Sequence, residues 1–145
     1  MRSRGATVVY TVLAYIACTF GVQGVSHFVV NADHYAAIAI MRTEPIVPMG
    51  IASMVIQGTI FGFLFPAFNR GRRAIGNGLV FSWSIGAFLA SYIALGEAGK
   101  YGVPSIASWV VVEVAAAAAQ FTLFGIALGL LHRQHATPNA PPARG

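Results

Sequence analysis

The chain has 145 residues, of which 57% are hydrophobic and only 9% charged, and its pI is near 10.0. Its mean hydropathy of +0.69 lies above the range of soluble domains, so the chain is predicted to be solvated by lipid. Nine Lys and Arg against four Asp and Glu give a net charge of +5. These basic residues lie singly or in short groups between apolar stretches, which is typical of membrane-topology signals and excludes nucleic acid as a predicted partner.

The N-terminal segment is predicted to be an uncleaved membrane helix. Arg2 and Arg4 precede an apolar run, as in a secretory signal, but the run extends from Ala6 to about Val30. That length exceeds the apolar core of a signal peptide, and no clear cleavage site follows it. The single cysteine, Cys18, lies within this run and excludes an internal disulfide or a multi-cysteine metal site.

Four stretches reach the length of about 20 apolar residues that a helix needs to cross a bilayer. They lie at about 7–30, 46–68, 75–96 and 104–131. Because lipid offers no partners to backbone polar groups, each stretch is predicted to be helical. We therefore predict an all-α fold, a single four-transmembrane-helix bundle over residues 1–135 with short loops, followed by a disordered cytoplasmic tail over 136–145.

The connectors between the predicted helices differ in length and character. The longest, residues 31–45, mixes charged side chains with an apolar run and is predicted to form a short amphipathic helix at the interface. The third connector ends at Pro104, which is predicted to lie in the first turn of the fourth helix.

Lys and Arg are distributed unequally between the two sides that these connectors define. Only Arg42 and Lys100 fall on one side. The other seven fall on the opposite side: Arg2, Arg4, Arg70, Arg72, Arg73, Arg133 and Arg144. Since positively charged short loops are retained in the cytoplasm, both termini are predicted to be cytoplasmic.

Small residues recur at four-residue spacing, which allows helix backbones to approach closely. Gly58 and Gly62 form such a pair in the second predicted helix, and Gly125 and Gly129 form one in the fourth. The third helix has a longer series: Gly78, Ser82, Gly86, Ala90 and Ala94. Packing within the chain is the favoured interpretation, and a homo-oligomer or a larger membrane complex stays open.

Glu113 is the main candidate for a functional side chain. It follows the predicted start of the fourth helix by nine residues, which places it about 13 Å along the helix axis and well inside the bilayer. An acidic side chain there is costly, and so it indicates a functional site. Gln120 follows on the same helix face, and Trp109 lies one turn earlier.

The other predicted helices also contain polar side chains that have no partner in lipid. The first has Thr19, Gln23 and His27 at four-residue spacing, and the second has Gln57. The third has Ser84, Ser91 and Tyr92. We expect these groups to turn toward one another and toward Glu113, forming a polar pocket in the outer half of the bundle. The expected rim is His27, Asp33, His34, Arg42, Glu44, Glu97 and Lys100.

The candidate residues for a ligand or proton site are Glu113, Gln23, His27, Gln57, Gln120, Glu97 and Arg42. The alternative is that Glu113 and the glutamines only hold helices together. No catalytic residue, cofactor or metal site is predicted, because the spacing of His27 and His34 matches no ligand signature and no known catalytic motif occurs. A haem between two histidines is not favoured, since His132 and His135 are predicted at the opposite membrane face.

Two segments resemble small four-helix bacterial integral membrane proteins with no established activity. The first is Glu44-Pro45-Ile46-Val47-Pro48-Met49-Gly50 leading into Ser53-Met54-Val55-Ile56-Gln57-Gly58, and the second is Glu97-Ala98-Gly99-Lys100-Tyr101. The resemblance extends from about His27 to Leu131. It implies a bacterial inner-membrane protein and assigns no catalytic residue.

Two functional hypotheses remain open. The first is a non-enzymatic membrane component, either an accessory subunit or a binder of a small ligand or lipid in the polar pocket. The second is a membrane enzyme or proton-coupled carrier in which Glu113 handles a proton and His27, Glu97 and Arg42 form its path. The absence of catalytic motifs favours the first.

Overall fold

The computed structural model describes residues 3–38, 42, 44–69 and 73–133, and all regular secondary structure in these ranges is helical. The helices are α1 (Arg4–Val25), α2 (Ala32–Ala36), α3 (Val47–Phe68), α4 (Ala74–Ser91) and α5 (Ile106–Leu131). Two of them continue as π-helix, α1 through Ser26–Val30 and α4 through Tyr92–Glu97. The tail predicted over 136–145 lies outside the described residues.

Four of these helices are long and apolar enough to cross a membrane: Arg4–Val30, Val47–Phe68, Ala74–Glu97 and Ile106–Leu131. Bulky apolar side chains project outward from them, and Phe88, for example, is 75% exposed. An apolar surface of this kind is stable in lipid but not in water. The predicted all-α class with four long apolar helices is therefore confirmed, and the chain has the features of a multi-pass membrane protein.

Serine caps define the start of two of the long helices. The Ser3 hydroxyl accepts a hydrogen bond from the Ala6 amide at 3.2 Å, and the Ser105 hydroxyl accepts one from the Ser108 amide at 3.3 Å. Such caps satisfy amides that have no partner within the helix. Pro104 precedes the Ser105 cap, so its predicted place in the first turn of the fourth helix is wrong.

Glycines bring the helix backbones into direct contact. Gly78 of α4 lies against the backbone of Gly125 and Gly129 in α5, and Gly58 of α3 lies against Val12 of α1. Buried Ser82 adds a hydrogen bond of 2.7 Å from its hydroxyl to the Phe121 carbonyl. These glycines and Ser82 therefore pack against other helices of the same chain.

Two apolar clusters fill the space between the helices. The larger contains Tyr15, Phe61, Phe65, Phe81, Phe121, Phe124 and Leu128. The smaller contains Tyr35, Ile38, Ala98 and Trp109, near the ends of α1 and α4 where the π-helical segments lie.

The smaller cluster includes the connector after α1. Helix α2 has only five residues, and Tyr35 within it is 6% exposed while Ile38 just after it is 4% exposed. The predicted short helix is therefore present, but its apolar side chains point into the protein instead of lying along an interface. Residues 31–38 of the connector fold back over the ends of the long helices.

A candidate ligand-binding cavity

A cavity of about 330 Å³ lies among α1, α3, α4 and α5, between the two apolar clusters. Its polar and aromatic lining consists of Tyr15, Thr19, Gln23, His27, Gln57, Glu97, Trp109, Glu113 and Gln120. Leu89, Ala90, Ile93, Ala117 and Phe121 complete it. The volume lies at the lower end of the range for small-molecule sites.

Six of the seven predicted site residues line this one cavity: Glu113, Gln23, His27, Gln57, Gln120 and Glu97. Arg42 differs from the prediction. It is exposed, and it is not among the lining residues. Arg42 lies in the connector beyond α2, whereas the other six are on the long helices that enclose the cavity.

One face of α1 supplies much of the polar lining. Thr19, Gln23 and His27 lie on it at four-residue spacing, as predicted from the sequence, and all three line the cavity. The same spacing continues backward to Tyr15 and Thr11, which are 1% and 0% exposed. Sequence reasoning missed Tyr15 as a lining residue, although extending the series by one step identifies it.

The glutamines form hydrogen bonds between helices. Gln23 Nε2 donates to Gln120 Oε1 at 2.9 Å, and Gln120 Nε2 donates to Thr19 Oγ1 at 3.0 Å. These two bonds connect α1 to α5. Since amide groups have no alternative partner in lipid, the pair fixes the width of the cavity on this side.

A further hydrogen bond connects α1 to α3, and a bond within α3 supports it. Tyr15 Oη donates to Gln57 Oε1 at 2.6 Å, and Gln57 Nε2 donates to Ser53 Oγ at 3.2 Å. Gln57 thus has both its oxygen and its amino group paired, which leaves its amide with a fixed orientation.

Glu113 is 7% exposed and receives a hydrogen bond from outside the long helices. Tyr35 Oη donates to Glu113 Oε1 at 2.7 Å. Burial, together with this bond and the charge of Glu113, raises the pKa of the Tyr35 phenol above its ordinary value. The phenol is therefore protonated and acts as the donor. The sequence contains no local signal for this contact, since it depends on the fold of the connector.

His27 is held by two interactions at the end of α1. Its Nδ1 lies 2.9 Å from the Gln23 carbonyl oxygen, which can only accept, so Nδ1 has the proton. Its ring stacks on the Tyr35 ring at 3.7 Å between centroids. In the neutral imidazole, Nε2 is therefore left as a hydrogen-bond acceptor.

Trp109 and Glu97 lie where the π-helical end of α4 meets α5. Trp109 Nε1 donates to the Ile93 carbonyl at 3.1 Å, and Ile93 belongs to that π-helical segment. π-Helical turns interrupt the regular ladder and occur frequently at functional sites. Glu97 interacts electrostatically with Glu113, which also lines the cavity, and with Lys100, which does not.

Three predicted pocket residues point elsewhere. Ser84 and Ser91 are exposed and donate to carbonyls of their own helix, at Val80 and Phe88. Tyr92 is 57% exposed. The prediction that they turn inward is wrong, because a serine hydroxyl in a helix finds a partner in the preceding turn and needs no other helix.

Lys100 explains the position of Tyr92. Its Nζ donates to Tyr92 Oη at 3.0 Å and lies 4.7 Å from the centre of the ring. This hydrogen bond raises the pKa of the Lys100 ammonium. The pair lies on the surface, outside the cavity.

Most of the predicted rim does not line the cavity. His27 and Glu97 do, whereas Asp33, His34, Arg42, Glu44 and Lys100 do not. His34 Nδ1 lies 3.3 Å from Ser108 Oγ, and its buried Nε2 has no hydrogen-bond partner among the described residues.

A second polar cluster lies at the opposite end of the long helices. His132 Nε2 lies 3.0 Å from Thr11 Oγ1, and the His132 carbonyl accepts from Asn69 Nδ2 at 3.2 Å. Asn77 Nδ2 donates to Asn69 Oδ1 at 3.0 Å. Burial lowers the pKa of the His132 imidazole. From the sequence, His132 was placed only at the membrane face opposite His27, and these contacts were not predicted.

Within the described ranges, no three His, Cys, Asp or Glu side chains come close enough together to hold a metal ion. His27 and His132 lie at opposite ends of the long helices, at the π-helical end of α1 and directly after α5. A haem cannot be held between these two.

Two apolar grooves lie outside the polar cavity. One, of about 870 Å³, runs between α1 and α5, and the other, of about 420 Å³, runs between α4 and α5. Cys18 is the only ionisable residue lining the former, and the latter has none. Although the α1–α5 groove is larger, the polar cavity is the better candidate site because it brings together groups that can recognise or react with a ligand.

Comparisons of the chain with protein-family models, with curated proteins and with solved structures find no match. The resemblance to small bacterial four-helix membrane proteins therefore stays a prediction.

Proposed function

We propose that this chain is a multi-pass protein of the bacterial inner membrane, a four-helix bundle with both termini cytoplasmic, and that it is a non-enzymatic component that binds a small molecule. Four apolar helices support the membrane location. The excess of Lys and Arg on one side supports the orientation. A homo-oligomer or a larger membrane complex in which the chain is an accessory subunit is compatible with both.

The observation that supports ligand binding best is the position of Glu113. Its side chain is buried, lines the cavity, and has a hydrogen bond at Oε1 only. Among the described residues, Glu113 Oε2 has no partner. A residue that only holds helices together does not need a cavity beside it. A binding site needs a polar group that faces a cavity and has no partner within the protein. The open acceptor therefore favours a site over simple helix packing.

Native mass spectrometry of the protein extracted gently from its own membrane tests this proposal. We expect a retained non-protein mass that is lost in Glu113→Leu and in His27→Ala. Ser84→Ala is the matched control, since Ser84 is exposed and bonds only within its helix. It should keep the bound mass.

Each other result has a defined meaning. A stable partner chain without a small molecule would favour the accessory-subunit form. A bare chain, or a bound mass that persists in Glu113→Leu, contradicts ligand binding at this cavity. In the purely structural alternative, Glu113→Gln is nearly silent because an amide still accepts from Tyr35, while Glu113→Leu costs about 1–2 kcal/mol of stability.

A proton-coupled carrier or membrane enzyme is the second candidate function. Glu113 and Glu97 interact through their charges, and Glu97 is the last residue of the π-helical segment that ends α4. As a carrier, the chain would use these two carboxyl groups to pass a proton to the interior. Under this hypothesis Glu113→Gln folds normally but abolishes a pH-dependent proton flux into liposomes, and an unchanged flux would contradict it.

A further inference from the structure

The groups left unpaired in the cavity include both amide donors and strong acceptors. Gln23, Gln57 and Gln120 each use one amide N–H on a partner within the protein, which leaves the second N–H of each as a donor. The His27 Nδ1 proton is directed to the Gln23 carbonyl, which leaves Nε2 as an acceptor in the neutral ring. Glu113 Oε2 is a further acceptor without a partner in the described part of the chain. A ligand that pairs with the Glu113 oxygen and the His27 nitrogen must donate hydrogen bonds.

The acidic side chains of the lining also favour a ligand that donates hydrogen bonds. Glu113 and Glu97 both face the cavity, and no Lys or Arg is among its lining residues. Lys100 is near enough to Glu97 for their charges to attract, but its ammonium donates to Tyr92 on the surface and does not line the cavity. Glu113 is 7% exposed, so a carboxylate there is costly, and a bound cation lowers that cost.

Aromatic rings form part of the remaining wall, beside the aliphatic Leu89, Ala90, Ile93 and Ala117. The Trp109 N–H is directed to the Ile93 carbonyl, so the indole offers the cavity only its ring. Tyr15 and His27 also line the cavity. Aromatic faces attract cations, most strongly where water is excluded.

We propose that the cavity binds a small organic cation, a primary ammonium group on a compact apolar body, with Glu113 and Glu97 as its counter-charges. This inference rests on the proposed function, since it names the ligand class of the same site. The ammonium group has three donors and no acceptor, which matches the unpaired oxygens and the free His27 nitrogen. The volume of about 330 Å³ holds about ten water molecules, so the ligand is far smaller than a membrane lipid.

A matched pair of probes tests the inference with the full chain in detergent micelles at pH 7. Cyclohexylmethylamine is protonated at this pH, because an alkyl amine has a pKa near 10. Cyclohexylmethanol has the same size and shape but no charge. The chain has two tryptophans, Trp83 and Trp109, so Trp83→Phe leaves Trp109 as the single indole reporter at the cavity.

We expect the amine to change Trp109 fluorescence and to bind at least tenfold more tightly than the alcohol. Glu113→Gln and Glu97→Gln should each weaken amine binding by tenfold or more and leave alcohol binding unchanged. Glu113→Gln retains an acceptor for Tyr35, so it should fold, and Glu97→Gln provides an independent variant. Glu44→Gln is the control, because Glu44 is an exposed carboxyl group outside the cavity.

Equal binding of the two probes, or amine binding that survives both substitutions, overturns the cationic-ligand inference. So does the absence of binding by the amine, since the cavity has room for it. In each of these cases the proposed function still stands if native mass spectrometry finds a bound mass that depends on Glu113. If no mass is retained either, both proposals fail together.

Discussion

Tyr35 of α2 is hydrogen-bonded to the buried Glu113. Its hydroxyl donates to Glu113 Oε1 at 2.7 Å, and its ring stacks on His27. Tyr35→Phe keeps the ring and removes only the donor. Because a buried carboxyl group then loses its hydrogen bond, we expect a loss of about 1–3 kcal/mol in the free energy of unfolding.

Denaturant titration of the purified protein in detergent micelles measures this change. Tyr92→Phe is the matched control, since Tyr92 is exposed and its hydroxyl pairs only with Lys100 at the surface. Solvent replaces an exposed hydrogen bond of this kind, so we expect a smaller loss than in Tyr35→Phe. Equal losses in the two variants would show that the Tyr35 hydroxyl adds nothing beyond a surface contact.

Among individual residues, those predicted best recur along one face of a helix. Thr19, Gln23 and His27 recur every four residues and all line the cavity. Tyr35 was not predicted as the partner of Glu113, because the contact joins residues 78 positions apart through a connector. The serines were predicted wrongly, since their hydroxyls bond within their own helices and gain nothing by turning inward.

Helices α4 and α5 are held together by backbone contact at glycine. A Cβ added at Gly129 would lie 2.5 Å from Ile75 Cα and 2.6 Å from the Ala74 carbonyl oxygen. Backbone atoms cannot rotate away from a new methyl group, so the two helices must separate. We expect Gly129→Ala to reduce the free energy of unfolding by about 1–3 kcal/mol, the usual cost of overpacking.

Gly76→Ala in α4 is the matched control for that substitution. The nearest atom to its added Cβ, Arg73 Cβ, is 3.8 Å away, which is ordinary van der Waals contact. Alanine favours helix more than glycine by about 1 kcal/mol, so Gly76→Ala should leave stability unchanged or raise it. If both variants unfold at the same denaturant concentration, the close approach at Gly129 does not limit the packing.

The long helices could be predicted because a membrane-spanning helix requires a long apolar run in the sequence. About 20 consecutive apolar residues are unmistakable, and the predicted bounds differ from Arg4–Val30, Val47–Phe68, Ala74–Glu97 and Ile106–Leu131 by at most three residues. Helix α2 has only five residues, which is too short for periodicity to reveal the face it buries. Its position next to Glu113 depends on a contact between distant parts of the chain.

For the whole molecule, orientation in the membrane is the property on which the proposed site depends. If both termini are cytoplasmic, the cavity end that bears His27 and Glu97 faces the outer side, where a ligand arrives from outside the cell. The proposal comes from the distribution of nine Lys and Arg residues along the sequence. Helix geometry is the same in either orientation, so a labelling measurement is needed.

Two single-cysteine variants on a Cys18→Ser background provide that measurement. Ser3→Cys places a thiol directly before α1, and Gly102→Cys places one between α4 and α5, where a Cβ has open space. Both positions are exposed, and neither substitution alters the charges that determine orientation. In intact cells, a membrane-impermeant maleimide should label Gly102→Cys but not Ser3→Cys. After the membrane is permeabilised, both should react. The reverse pattern would place the end of the cavity that bears His27 and Glu97 on the cytoplasmic side, so that the ligand of the proposed site would be a cytoplasmic molecule.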